Sequence, residues 1–114
     1  MEGGGDPLVT DRLLISRVGP RHLRVAGELD MASSPALAEE LQGLVGSGKG
    51  PVILELADLT FLDSTGLRVL IDAAQKLGES GDLVLRNPTR AATEVLEIAG
   101  VVEAASNLVI ERDD

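Results

Sequence analysis

The chain has no cysteine, tryptophan or tyrosine, and among its 114 residues it has a single phenylalanine, Phe61, and a single histidine, His22. The lack of cysteine excludes disulfides, thiol nucleophiles and zinc–thiolate sites. His22 has no neighbouring residues with metal-ligand spacing, so we interpret it as a surface or packing residue and predict no metal and no cofactor. The core must be aliphatic, and the 44% hydrophobic content suits one folded domain of this length.

Long apolar runs and positive charge are also scarce. No apolar segment reaches the roughly 18 residues of a membrane span, and residues 1–7 lack the basic-then-apolar order of a signal peptide. We therefore expect a cytoplasmic domain that is not embedded in a membrane. The net charge is −9, from 10 basic and 19 acidic residues. Such a surface repels nucleic acid and anionic membranes and favours a partner with basic patches, although solubility alone would explain it equally well.

Hydrophobic periodicity predicts strands that alternate with helices. Strands are predicted over residues 12–18, 22–26, 52–56, 83–85 and 108–110. Three amphipathic helices are predicted to begin near Ser34-Pro35, after Ser64 and after Asn87-Pro88, with residues 57–62 as a loop. Because residues 52–56 are nearly all apolar, we expect that strand to be covered on both faces.

This order of elements predicts an α/β fold with a single domain. The sheet should be mixed and mostly parallel, with an N-terminal antiparallel hairpin and about three helices packed on it. Residues 1–10 are glycine-rich and are predicted to be a flexible tail, and residues 11–114 form the domain.

The segment Asp63-Ser64-Thr65-Gly66 lies between an apolar strand and an amphipathic helix. Ser, Thr and Asp are favoured at helix starts because their oxygens accept hydrogen bonds from free backbone N–H groups. A helix start also tolerates a phosphate well. Ser64 or Thr65 is therefore either a helix cap, the commoner use, or a hydroxyl placed to receive a phosphoryl group.

Two other patterns carry less chemistry. Residues 43–49 spell G-x-x-x-x-G-K, but Gly50 stands where a phosphate-binding loop needs a hydroxyl, and the segment follows a helix instead of a strand. We interpret it as a linker. Glu28 and Asp30, two residues apart at a strand end, are more typical of a cap or turn than of a catalytic pair. No set of nucleophile, base and orienting residue is evident, so no enzyme is predicted.

The stretch from Leu56 to Leu67, LADLTFLDSTGL, resembles the signature of the STAS family, the anti-sigma factor antagonists. Gly27-Glu28-Leu29-Asp30 resembles the second landmark of that family, at the end of its second strand, and Asn87-Pro88 also fits. The resemblance covers residues 13–102. It is weakest at the C-terminal end, because the family usually adds a helix after its last strand and residues 111–114 leave no room for one.

The resemblance implies a partner switch. The unmodified domain would bind an anti-sigma factor and so release a sigma factor. That anti-sigma factor, itself a serine kinase, would phosphorylate Ser64, with Thr65 as the alternative acceptor, and a serine phosphatase would reverse this. Gly66 would allow close approach of a partner backbone, and Arg68 would reach the partner. The expected contact residues are Glu28, Leu29, Asp30, Thr60, Asp63, Ser64, Thr65, Gly66 and Arg68.

Two rival functions follow from the same residues. A STAS subunit could serve as a scaffold in a transporter or stress-signalling complex without a phosphorylation switch. A nucleotide-binding or hydrolysing enzyme is the other alternative, and it lacks a credible phosphate loop and base.

Overall fold

The computed structural model describes residues 8–10 and 12–113. The elements of this part of the chain are β1 (Leu8–Thr10), β2 (Leu13–Gly19), β3 (His22–Leu29), α1 (Ser34–Val45), β4 (Val52–Glu55), β5 (Leu59–Leu62), α2 (Ser64–Leu77), β6 (Leu83–Arg86), α3 (Arg90–Ala99), α4 (Val101–Ala104) and β7 (Leu108–Glu111). A short 3-10 turn, Gly78–Ser80, follows α2. The predicted α/β fold with its antiparallel opening is confirmed.

One sheet contains all seven of these strands. Its order is β1-β2-β3-β4-β6-β7, with β5 also beside β3. The pairs β1–β2 and β2–β3 are antiparallel, and every later pair is parallel. Strand β3 has two partners in turn, because residues 22–24 lie beside β4 and residues 27–29 lie beside β5. The parallel strands therefore end along one edge of the sheet, where the motif residues are found.

The helices cover a single face of the sheet. Buried residues of α1, α2 and α3 form one aliphatic cluster with the inward side chains of the strands. In β4, Val52 and Leu54 are buried, whereas Ile53 and Glu55 are only half-buried. The expectation that this strand is covered on both faces was wrong. Neighbouring strands β3 and β6 shield Ile53 enough for an apolar residue to be tolerated without a second layer.

Helix α2 follows the predicted pattern closely. Its buried residues are Gly66, Leu67, Leu70, Ala73, Ala74 and Leu77. Arg68 and Asp72 point to solvent, as the 3.6-residue period requires. The N-terminal end of this helix is thereby fixed against the sheet edge by its own apolar face.

Of the other two long helices, α1 differs from expectation in detail. The cap position of α1 is Ser33, so Ser34 and Pro35 are its first two residues. Helix α3 ends at Gly100, which has a left-handed φ of 65°. Ala99, the last residue of this helix, is exposed.

Two segment assignments also change. Residues 59–62, predicted to be loop, form β5, because the end of β3 offers free backbone groups for parallel pairing. Residues 8–10, assigned to the tail, pair with β2 as β1, and residues 1–7 lie outside the described residues. None of the helices in the described ranges combines the length and hydropathy needed to cross a bilayer.

Candidate functional site

The start of α2 is capped by Asp63 and not by either hydroxyl. Asp63 has extended backbone geometry, and its Oδ1 accepts a hydrogen bond of 3.0 Å from the N–H of Gly66. Its carbonyl oxygen accepts the first helical bond, from the N–H of Leu67, at 2.9 Å. The capping alternative for Ser64 and Thr65 is therefore excluded by geometry, because the carboxylate already occupies that role.

The hydroxyl of Ser64 is consequently available. Ser64 is exposed as the first residue of α2, whereas Thr65 is half-buried. Neither hydroxyl has a hydrogen-bond partner among the residues the structure describes. The N–H groups of these first two residues also have no carbonyl within the helix to bond, as at any helix start. An exposed alcohol thus lies beside free backbone donors.

Removing the cap should loosen this helix start. We expect Asp63→Ala to lower the free energy of unfolding by about 1 kcal/mol, since the N–H of Gly66 loses its acceptor. Urea denaturation followed by circular dichroism measures the change. The matched control is Ser64→Ala, one residue further on, which should leave the midpoint unchanged because its hydroxyl makes no bond. A larger loss in Ser64→Ala than in Asp63→Ala would contradict the assignment of the cap.

Gly66 has a packing role inside the domain. It is buried, and a Cβ built on it would lie 2.6 Å from Cγ of Leu29 and 3.0 Å from Cδ1 of Leu62. The absence of a side chain lets the first turn of α2 lie directly on the ends of β3 and β5. The expectation that Gly66 admits a partner backbone was wrong, because the approaching group belongs to the chain itself.

Leu29 is the other predicted contact residue that is not at the surface. Only 1% of it is exposed, and it lies in the core beneath α2. It cannot contact a partner, because its position at the end of β3 directs it to the covered face of the sheet. The preceding residue, Glu28, points to the opposite face and forms an ion pair of 2.8 Å with Arg12.

Asp30 organises the turn between β3 and α1. Its Oδ1 accepts hydrogen bonds from the N–H groups of Ala32 and Ser33, each at 3.0 Å. The buried Ser33 returns the contact, because its Oγ accepts the N–H of Asp30 and donates to the carbonyl of Glu28. These bonds, the backbone N–H of Ser33 above all, lower the pKa of Asp30 below its ordinary value of 3.8. Asp30 therefore stabilises this turn above about pH 4, and its contribution is lost as the pH falls through the lowered pKa.

The two aspartates that directly follow β3 and β5 are adjacent. Leu29 and Leu62 are register partners, and the N–H of Asp63 donates to the carbonyl of Leu29 at 3.2 Å. Asp30 and Asp63 therefore leave the sheet side by side. The structure therefore places these two carboxylates close to Ser64, the residue that follows Asp63.

Two exposed apolar side chains border this acidic edge. Met31 is 73% exposed in the turn after Asp30, and Phe61 is 46% exposed on β5. Phe61 is the register partner of Glu28, two residues before Asp63. Neither residue was singled out from the sequence. A strand assignment for residues 59–62 would have pointed to Phe61, and the one signal for Met31 is a large apolar residue between an acidic residue and a helix cap.

The remaining predicted contact residues are at the surface. Thr60 is exposed and its Oγ1 donates to the carbonyl of Gly27 at 3.1 Å, which holds β5 against β3. Arg68 is exposed one turn into α2 and has no ion-pair partner in the described part of the chain. We call the set Asp30, Met31, Phe61, Asp63, Ser64 and Arg68 the switch edge; its two aspartates are half-buried and the other four residues are exposed.

The other sequence patterns fall away from the switch edge. Gly43 lies inside α1, and residues 46–51 connect that helix to β4. His22 forms a contact of 2.9 Å with Glu55 on the neighbouring strand. No group of three or more His, Cys, Asp or Glu side chains that could hold a metal ion is found in residues 8–10 and 12–113.

The family of this α/β domain follows from its match to a family model. A family model described as "Mlab, STAS domain" matches residues 16–110. The chain belongs to the STAS domain family.

Several similar proteins are named as anti-sigma factor antagonists. The anti-sigma-B factor antagonist of Bacillus subtilis is 32% identical over 80 residues, which cover 69% of this chain and 72% of that protein. The anti-sigma-F factor antagonist RsfB of Mycobacterium tuberculosis is 31% identical over 58 residues, and the alignment spans about half the length of both, 51% of this chain and 48% of RsfB. The crystal structure of an anti-sigma factor antagonist from Mycobacterium paratuberculosis has a TM-score of 0.68, with 96% of this chain and 90% of that chain covered; at 22% identity it supports the fold alone.

Proposed function

We propose that this protein is an anti-sigma factor antagonist, switched off by phosphorylation of Ser64. The unmodified domain binds an anti-sigma factor in the cytoplasm and so releases the sigma factor that this partner holds. The anti-sigma factor is a serine kinase that uses Ser64 as its substrate, and a serine phosphatase restores the active form. The domain itself is a ligand and a substrate, not an enzyme.

The observation that carries the proposal is that Asp63, and not Ser64, caps the start of α2. Asp63 caps the helix, so the Ser64 hydroxyl is left exposed and without a bond. A kinase can reach such an oxygen without unfolding the helix. Thr65 is the poorer acceptor because it is half-buried. A phosphate on Ser64 would find the free N–H groups of the helix start next to it, so the fold tolerates the modification.

The composition of the switch edge indicates the chemistry of its partner. Met31 and Phe61 supply exposed apolar area, and exposed large apolar groups with a polar rim are typical of binding sites. Asp30 and Asp63 give the edge a negative rim. The complementary surface is therefore an apolar pocket with basic residues around it.

The two apolar side chains should act as anchors for the partner. We expect Met31→Ala and Phe61→Ala each to weaken binding of the anti-sigma factor by about tenfold or more, since buried anchors dominate interface energies. Isothermal titration against anti-sigma factors encoded in the same genome measures this. Ile98→Ala is the control, because Ile98 is 88% exposed on α3 and lies outside the switch edge. Equal losses in all three variants would contradict the assignment of the surface.

The identity of the partner that co-purifies with the chain distinguishes the scaffold alternative from the proposed function. Affinity purification of the full chain from its own cells, followed by mass spectrometry, should return a kinase-type anti-sigma factor. Recovery of a membrane permease together with a Ser64 that is never phosphorylated would overturn the proposal in favour of a scaffold subunit.

A further inference from the structure

The face of the sheet opposite the helices carries an ordered pattern of charge. Register pairs place Arg24 beside Glu55, Glu55 beside Arg86, and Arg86 beside Glu111. Because paired residues in neighbouring parallel strands point to the same side, these four side chains form one row across β3, β4, β6 and β7. The row reads positive, negative, positive, negative. We call it the charge ladder.

The two ends of the ladder are open to further contacts. Arg86 is ion-paired within the chain: its Nη1 lies 3.2 Å from Oε2 of Glu55, its Nε lies 3.1 Å from Oε1 of Glu111, and its Nη2 lies 3.1 Å from Oδ1 of Asp113. Arg24 is exposed and forms no ion pair with any residue that the structure describes. The side chain of Glu111 is 54% exposed.

An apolar row runs beside the ladder. Ile53, Val84 and Val109 are register partners on β4, β6 and β7, two residues before the ladder positions, and the half-buried His22 on β3 completes the row beside Ile53. Val109 is exposed, and Ile53 and Val84 are half-buried. No helix in the described part of the chain covers this row, so part of its apolar surface is available for contact.

We propose that this face binds the same face of a second copy of the chain. The two copies are related by a twofold axis that lies between the two faces, runs parallel to the strands and passes through the centre of the ladder. Such an axis places the first position of the row opposite the fourth of the partner, and the second opposite the third. Arg24 then meets the partner's Glu111, and Glu55 meets the partner's Arg86. Every opposition is attractive, while the two apolar rows add contact area.

The charge balance of the molecule favours a second copy over another kind of partner. The chain carries a net charge of −9, so two copies repel each other over most of their surface. The four ladder side chains are two cations and two anions, and Asp113, 3.1 Å from Arg86, adds one carboxylate beside them. This face is therefore much closer to neutral than the rest of the surface. A uniformly basic partner would gain more at the acidic surfaces elsewhere, whereas an alternating row is matched best by its own reversed copy. The proposal is independent of the phosphorylation switch.

The test is sedimentation equilibrium of the full chain at low and high salt. A dimer is expected that weakens as salt rises, because exposed charge pairs are screened. Arg24→Glu and Glu111→Arg should each reduce the association constant by more than about tenfold, because each places like charges opposite one another. An equimolar mixture of the two variants should associate as strongly as the parent protein, since every opposition in the mixed dimer is again attractive. Arg90→Glu, the same change at an exposed position on α3, should have no effect.

Each failure of this pattern overturns the proposal. A parent protein that remains monomeric at high concentration excludes the dimer, whatever covers the face instead. A dimer that survives Arg24→Glu, or variants that fail to associate when mixed, place the contact elsewhere. Val109→Glu gives a second route if Glu111→Arg does not fold, because it puts a carboxylate into the apolar row without touching the ladder, and it should also abolish the dimer.

Discussion

Phosphorylation of Ser64 is expected to weaken binding of the anti-sigma factor by about a hundredfold or more, equivalent to about 3 kcal/mol. A phosphoserine adds roughly −1.5 to −2 charges and three strong acceptors. At this position they join the carboxylates of Asp30 and Asp63, which already leave the sheet side by side. A phosphate is strongly hydrated, and part of its hydration must be removed before a partner can dock on the switch edge. Titration of phosphorylated and unmodified protein against the partner measures the effect.

Three variants distinguish the effect of phosphorylation at Ser64 from effects of the neighbouring hydroxyl. Ser64→Ala should bind with the parent affinity but cannot be turned off by the kinase. Ser64→Glu should bind poorly, although one carboxylate imitates a phosphate imperfectly. Thr65→Ala, the adjacent hydroxyl, should bind and switch as the parent does. Phosphate mapped by mass spectrometry to Thr65 alone, or equal affinities of the two phosphorylation states, would refute the proposed mechanism.

The parts of the fold that the sequence predicts are those governed by local chemistry. The amphipathic period of α2 and the helix starts near Ser34-Pro35 and after Asn87-Pro88 depend on neighbours within a few residues. These inferences need no knowledge of distant packing. The placement of Asp30 and Ser64 on one contact surface was implied instead by the resemblance of the two motifs to the STAS family.

The predictions that were wrong depend on which face a residue shares with distant segments. Leu29 and Gly66 lie in the surface motifs, but 37 residues of separation hide the fact that they pack on each other. Strand β5 was missed because a register shift between Gly27 and Glu28 breaks the alternation of buried and exposed residues. Met31 and Phe61 were missed because exposure of an apolar side chain is a property of the assembled sheet edge.

The register shift at Gly27 makes this residue the most sensitive position near the site. Gly27 has φ of 99°, a conformation that side chains other than glycine rarely adopt, and a Cβ on it would overlap the carbonyl oxygen of Arg12. That oxygen also accepts a hydrogen bond of 3.0 Å from the N–H of Glu28. The N–H of Gly27 donates to the backbone carbonyl of Asp58 at 2.9 Å. Strands β2 and β3 and the chain leading into β5 are therefore joined at one glycine.

We expect Gly27→Ala to lower the free energy of unfolding by about 3 kcal/mol, combining the strain of a positive φ with the backbone overlap. A loss of this size should lower the melting temperature by roughly 10–20 °C in a domain of this length. Gly43→Ala is the matched control, because Gly43 lies within α1 with nothing within 4 Å of the new Cβ. That change should stabilise the domain by about 0.5–1 kcal/mol, since alanine is the better helix former. If Gly→Ala changes the free energy of unfolding with opposite signs at positions 27 and 43, the strain lies at the register shift that positions Glu28 and Phe61. Similar small changes at both positions would show that the sheet edge can relax around a side chain at position 27.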